Sequence, residues 1–440
     1  MHGNKHVVFV TWKTGNAPAF EAAKRLGHEV TLIRSRAMER MQHVDFDKTP
    51  FGRFVDTVHT LDDATELAAL RACVHEIHAR RRIDGFLATV DALVVPVARI
   101  AEELGIPFTS VEGAVTAKAK NRCREVLEEA GIDRTRHLVL TDSRQTKVTT
   151  AESGSGGSRH WPRTGLDQAR AFAADAGFPI VVKPASGSGS EGAHVLRDDL
   201  ALAEFFATAD PAAYPTGMLV EEYLSGRFVS AEIGLARGEV VRLAISERTT
   251  WARHEALETG TTIPAVIDDD AHEAVMDFAE RVIKAVGLRM GIFHVEVMLT
   301  AAGPRLIELN PRIMGSCLPN LFCLAGGGDL FELLVRIYLD EPVAHKAAFD
   351  GYATVRWFGA TDATPAPAEV PDLSWARGYG DTLRSLTVRL PESGVFKACR
   401  GNLDNFGEVQ TVHTDHDESV RAAEEIVQKI EAQLGIELTK

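Results

Sequence analysis

Residues 291–315, GIFHVEVMLTAAGPRLIELNPRIMG, constrain this chain more than any other stretch. From 293 to 299 the residues alternate. Phe293, Val295, Val297 and Leu299 take one side, and His294, Glu296 and Met298 the other. A period of two is that of a strand with one apolar face. Ala302-Gly303-Pro304 predicts a turn. A second strand follows over 305–310, with Ile307 and Leu309 on one side and Glu308 and Asn310 on the other. Pro311 ends it, because proline cannot donate to a ladder. Such a hairpin presents Glu296, Glu308 and Asn310 together. Two carboxylates and an amide oxygen are hard ligands, suited to Mg²⁺ or Mn²⁺ with phosphate oxygens filling the sphere. Arg312 comes next, a fixed cation whose planar fork fits phosphate or carboxylate. A plain hairpin with a wet charged face explains Glu296 alone. It does not explain the whole Glu-Leu-Asn-Pro-Arg run beside it.

A chain of 440 residues is too long for one core, so two or three domains are expected. Its start alternates strand and helix: strand over 6–10, helix over 18–26, strand over 29–33, helix over 61–82, strand over 84–89, helix over 92–104, and a short strand from 106. That order predicts an α/β domain of Rossmann-like type with a parallel sheet. The first strand is not followed by Gly-x-Gly-x-x-Gly, so no dinucleotide is assigned, and the domain is expected to be a scaffold that shapes a substrate cleft.

Further on, a strand over 178–183 ends in Lys183. The loop Ala-Ser-Gly-Ser-Gly-Ser-Glu-Gly (185–192) follows, and a strand returns over 193–196. Gly187, Gly189 and Gly192 spell Gly-x-Gly-x-x-Gly, but no helix opens there, so the dinucleotide reading fails its own structural condition. A lysine entering a glycine loop between two strands suits a flap over phosphates. The backbone N–H groups can approach the anion, and the hydroxyls of Ser188 and Ser190 add donors. Lys183 is expected to have no partner until a nucleotide arrives. Residues 142–165 are rich in Ser, Thr, Gly and Arg and predict a mobile surface insertion, anchored by Trp161. From 351 onward short strands (354–358, 383–390, 408–412) and a helix over 417–434 predict a small α+β domain.

These stretches resemble the ATP-grasp ligases, in which a Glu and then Glu-x-Asn-Pro-Arg hold the metal ions on ATP. Lys120, seven positions before Leu127 and the Ala-Gly-Ile that follows, resembles the family's ATP-binding lysine. The spacing selects it over Lys118. Residues 218–224, MLVEEYL, resemble the hinge, where Glu221 and the backbone at Tyr223 and Leu224 would meet the adenine edge. Phe228 stands where a ribose-binding Glu is common, with Glu222 as a substitute. Residues 258–265, ETGTTIPA, resemble a substrate loop of the amino-acid ligase branch, with Thr261 in place of a histidine. Asn402, Asp404, Gly407 and Val409 resemble the family's C-terminal pattern.

The resemblance implies an α/β and α+β chain with the ATP-grasp fold. Residues 1–113 would form the Rossmann-like domain. Residues 114–345 would form a two-subdomain ATP-grasp unit, with its glycine flap at about 178–225. Residues 346–440 would form the small α+β domain. It implies a carboxylate–amine ligase closest to the L-amino acid ligases, with ATP and Mg²⁺ or Mn²⁺. Lys120, Lys183, Ser188 and Ser190 would hold the phosphates, and Glu296, Glu308 and Asn310 the metal. Arg312 would be catalytic, and with Glu258 and Gly315 would touch the substrate. A biotin-type carboxylase is the alternative, but there a Val-Glu-His run follows Asn-Pro-Arg, and here Ile313-Met314-Gly315 does. A non-catalytic ATP-binding scaffold would have lost its metal ligands.

Composition narrows the partners. Lys+Arg number 48 and Asp+Glu 62, a net charge of -14, which disfavours nucleic acid and anionic membrane. No apolar run reaches spanning length and no signal-peptide core is present. The five cysteines show no Cys-x-x-Cys spacing, which predicts a reducing, cytoplasmic setting without disulfides or zinc. The expected partners are a small carboxylate and an amine; a homodimer is compatible with the sequence.

Overall fold

The computed structural model describes residues 4–41, 49–141, 161–187 and 191–440. Strands β1 (His6–Val10), β2 (Glu29–Ser35), β3 (Thr57–Leu61) and β4 (Gly85–Ala88) pair in parallel, in the order β3-β2-β1-β4. Helices α1 (Pro18–Arg25), α2 (Arg36–Met41), α3 (Leu67–Arg80) and α4 (Asp91–Leu104) connect or flank them. Every residue of β1 and β4 is buried, as central parallel strands require. The chain winds outward from β1 to β3, then returns to place β4 on the other side of β1. The sheet therefore has its switch point between β1 and β4, where a crevice opens at the strand C-termini.

Two expectations fail in this domain. The helix predicted over 61–82 begins only at Leu67, because Asp63 Oδ1 accepts from both the N–H and the hydroxyl of Thr65, at 2.8 and 2.7 Å, and holds a turn. The strand predicted from 106 does not form. Instead Ser110 caps α5 (Val111–Lys118) by accepting from the Gly113 N–H. α5 ends at Ala119, whose ψ of 96° leaves the helical region. α6 (Lys120–Glu129) starts afresh there, and its first N–H donates to Ala185 O at 3.0 Å.

A second, antiparallel sheet has the order β5-β8-β6-β7, from β5 (His137–Leu140), β6 (Ile180–Pro184), β7 (His194–Leu196) and β8 (Met218–Glu222). With α7 (Arg163–Ala176) and α8 (Asp199–Thr208) it encloses a small core in which Trp161 meets Phe206 and Tyr214 edge-on. The flap unit thus takes in β5 and does not begin at 178. Most of the predicted insertion, together with Ser188 and Ser190, lies outside the described residues.

The third sheet has eight antiparallel strands. They are β9 (Arg227–Ala236), β10 (Glu239–Trp251), β11 (His254–Ile263), β12 (Gly291–Thr300), β13 (Gly303–Asn310), β14 (Tyr352–Phe358), β16 (Leu383–Val388) and β18 (Gly407–His413), in the order β13-β12-β9-β10-β11-β14-β18-β16. A two-stranded ribbon, β15 (Thr364–Pro365) with β17 (Val395–Phe396), lies apart from it. Helix α9 (Asp269–Val286) packs Val275, Phe278, Val282 and Ile283 onto β9, β12 and β13. Helices α10 (Leu318–Leu324), α11 (Leu330–Tyr338) and α12 (His416–Leu434) complete the chain. The C-terminal segment is not a separate sheet: β14 pairs Val355 with Thr261 of β11, so the backbone ladder crosses the predicted boundary at 345. Residues 258–263, predicted as a loop, lie in β11.

Candidate active site

The site begins with a fault in a ladder. On β12 and β13, His294 faces Asn310 and Glu296 faces Glu308, and then the register slips so that Val297 faces Leu306. Ile307 is the extra residue of a β-bulge. The slip overturns the predicted alternation: Leu306 and Leu309 enter the core together, while Ile307 is half-buried. The Ile307 carbonyl accepts from Lys183 Nζ and from Arg124 Nη2, both at 3.3 Å.

Glu296, Glu308 and Asn310 therefore converge on one face of the hairpin. Lys120 Nζ lies 3.1 Å from Glu308 Oε1 and donates to Gly187 O at 3.1 Å, tying the glycine loop to the hairpin. Lys118 turns elsewhere, to Asp91 at 3.2 Å. Lys183, predicted to have no partner, instead sits 2.6 Å from Glu221, which also accepts from Arg124 Nε at 2.6 Å. All three are buried. Burial pushes the Glu221 carboxyl up, but the Arg124 and Lys183 charges outweigh it and hold it at about 2. Glu221, predicted to meet the adenine edge, here has its carboxylate paired with both cations. Glu222, the predicted ribose substitute, accepts from the Arg136 N–H at 2.9 Å and from Arg305 at 3.2 Å. The Tyr223 hydroxyl donates to Glu255 at 2.8 Å, and Leu224 follows it in the hinge.

On the other side, Arg312 meets Asp91 of α4 through Nε at 2.7 Å and Nη2 at 2.5 Å. It also donates to Ile313 O at 2.9 Å and to Asn310 Oδ1 at 3.3 Å. Gly315 lies against its guanidinium. Glu258 pairs with Arg248 and accepts from Thr261 Oγ1 at 3.0 Å, so Thr261, standing in for a histidine, orients this carboxylate. Burial raises the Glu258 carboxyl, and Arg248 offsets part of that. His294 bridges Glu232 at 2.5 Å and Glu296 at 3.3 Å. Burial lowers it, yet Glu232 outweighs burial and raises it to about 9. Glu296 is held at about 2 because His294 and Arg248 outweigh its burial.

The donor set fits a hard divalent cation in one way only. Among the described residues no three His, Cys, Asp or Glu side chains group to hold a metal by themselves. Two carboxylates and an amide leave most of an octahedral sphere to be filled by a ligand such as a phosphate chain. Sequence reasoning missed Arg124, Asp91, Arg248 and His294. For Arg124 a signal existed: it stands four residues after Lys120, on the same face of α6.

A cluster of fixed cations and carboxylates, closed between two antiparallel sheets and backed by a glycine loop, is the architecture of an ATP-binding protein. Residues 20–108 match the ATP-grasp N-terminal domain and residues 176–320 the ATP-grasp domain. The chain belongs to the ATP-grasp family. It is 26% identical over 340 residues to the uncharacterized protein y4rH of Sinorhizobium fredii, covering 75% of this chain and 70% of that one. It is 25% identical over 281 residues to the alanine–anticapsin ligase of Bacillus amyloliquefaciens, covering 58% of this chain and only 54% of that ligase. In fold it is similar to the L-amino acid ligase of Bacillus licheniformis, with a TM-score of 0.75, 18% identity and 97% of each chain covered. Among the described residues no helix is long and apolar enough to cross a membrane.

Proposed function

We propose that this protein joins the carboxylate of an amino acid, or of a related small acid, to an amine at the expense of ATP. It is a ligase that forms carbon–nitrogen bonds and releases ADP. The substrate carboxylate attacks the γ-phosphate to give an acyl phosphate; the amine then attacks the acyl carbon and phosphate leaves. Phosphoryl transfer asks a protein mainly for position and positive charge. Lys183 and Lys120 take phosphate oxygens, and Glu221 keeps Lys183 aimed beside Ile307 O. Ser188 and Ser190 add donors from the loop. Arg312, locked in its rotamer by Asp91, stabilises the transferred phosphoryl group and then the acyl phosphate. Glu296, Glu308 and Asn310 would hold Mg²⁺ or Mn²⁺, which would supply the remaining charge compensation. Glu258, buried beside Arg248, contributes to the substrate wall. The five free cysteines suit a reducing cytoplasm.

One observation carries this reading: Glu296 and Glu308 face each other across a bulged hairpin whose next residues bring Asn310 and Arg312 to the same cluster. The test is Mg²⁺-dependent ADP release with the pooled L-amino acids, with mass spectrometry of the products. Ligation requires an amine and ignores bicarbonate. ADP release that depends on bicarbonate, or none at all, overturns the reading.

A further inference from the structure

Arg248 stands near the end of β10, where Thr261 of β11 faces it across the ladder. Its Nη2 pairs with Glu258 and lies 4.0 Å from Glu296 Oε1, so one guanidinium joins the substrate wall to the metal hairpin. The Phe228 ring lies against it, with Cζ 5.7 Å from the ring centroid. Only 5% of the side chain is exposed. The rest of the guanidinium is idle: among the described residues Nε and Nη1 are buried and have no hydrogen-bond partner. Folded proteins leave few buried donors unpaired, because each one costs its full desolvation. Glu258 and Glu296 explain the charge of Arg248 but not its two spare donors. Arg312 differs, being anchored through all three of its nitrogens.

We infer that Arg248 binds the substrate carboxylate that is to be phosphorylated, through the oxygen that does not attack. This inference rests on the ligase reading above. Position selects the group. The attacking carboxylate has to lie between the phosphate chain at the hairpin and the substrate wall at Glu258, and Arg248 reaches both. Charge selects it too. An ammonium would be repelled by a buried guanidinium, and the phosphates have Lys120 and Lys183. In the transfer, the free carboxylate oxygen forms the new bond to the γ-phosphorus. The bond from that phosphorus to the bridging oxygen breaks, its electron pair leaves on ADP, and no proton moves. Arg248 fixes the anion in line without drawing on the oxygen that attacks.

The experiment reads the first half of the reaction alone. The acyl phosphate is trapped with hydroxylamine as a hydroxamate, in the presence of ATP, Mg²⁺ and each L-amino acid in turn, which identifies the carboxylate donor without an acceptor. Arg248→Met should then raise the KM for that donor ten- to a hundredfold, the range for one charge-assisted hydrogen bond, with the KM for ATP unmoved. This variant also strips Glu258 of its counter-charge, so Arg248→Lys is measured beside it. Lysine keeps a positive charge for Glu258, yet its point charge does not replace the planar fork. Its melting curve should match wild type while its donor KM rises about tenfold. An arginine that served only the fold would move the melting curve, or both KM values together. A wild-type donor KM in either folded variant, or a rise in the KM for ATP equal to that for the donor, overturns this inference alone. A wild type that yields no hydroxamate with any amino acid overturns the ligase reading beneath it.

Discussion

The two corners of the site are held in different ways. At the nucleotide corner every cation has its counter-charge close by in the fold: Lys183 and Arg124 share Glu221, and Lys120 meets Glu308. At the substrate corner Arg312 takes its counter-charge from Asp91, 221 positions away in the N-terminal domain. The first corner is charge-paired within itself before any ligand binds. The second exists only while the N-terminal domain is docked. A preorganised corner suits a ligand that is always the same, the triphosphate.

The sharpest way to break that contrast is Glu221→Gln. Arg124 and Lys183 would become two buried cations without their carboxylate, and breaking a buried pair costs about 3–5 kcal/mol. Urea unfolding should show the loss; a near wild-type midpoint would mean that water reaches the pair. Glu308→Gln comes next. It conserves volume on a half-exposed face, so the melting temperature should hold, while ADP release should fall about a hundredfold or more, as when one transition-state electrostatic group is removed. Near-normal turnover with Mg²⁺ would remove Glu308 from the metal site.

Lys183→Ala is expected to cost about 1.5–3 kcal/mol in ATP binding, read by calorimetry with a non-hydrolysable analogue. It should also cost stability, contrary to what a partnerless lysine would do, but less than Glu221→Gln, because Arg124 still covers the carboxylate. Equal losses in the two variants would refute the shared-carboxylate account.

The smallest effect is expected at the cross-domain pin. Asp91→Asn should lower turnover about tenfold, the cost of roughly one hydrogen-bonded charge, without changing ATP affinity. Burial raises the Asp91 carboxyl, but Arg312 and Lys118 outweigh it and hold it well below the usual carboxylate range. A group depressed in this way stabilises the fold fully above about pH 4 and loses that contribution as pH falls. The acid limb of the stability profile should therefore be shallower in Asp91→Asn. An unchanged limb together with unchanged turnover would show that Arg312 needs no pin.

Much of this was readable without coordinates, for a definable reason. The hairpin and its paired carboxylates rest on residues near one another in sequence, where periodicity carries the signal. Periodicity reports the face a residue takes only while the ladder stays in phase. The bulge at Ile307 is a one-residue slip defined by the partner strand, and it turned a predicted core residue into the carbonyl that receives Lys183 and Arg124. The union of the C-terminal strands with the large sheet was likewise hidden, because backbone pairing between β11 and β14 leaves no mark in side-chain pattern. The ion pairs that aim the site join residues 97 positions apart for Arg124 with Glu221 and 221 for Arg312 with Asp91. Local sequence names the charges that such a site needs; only the folded chain decides which charge stands beside which, because that choice is made by contacts between segments with no local signature.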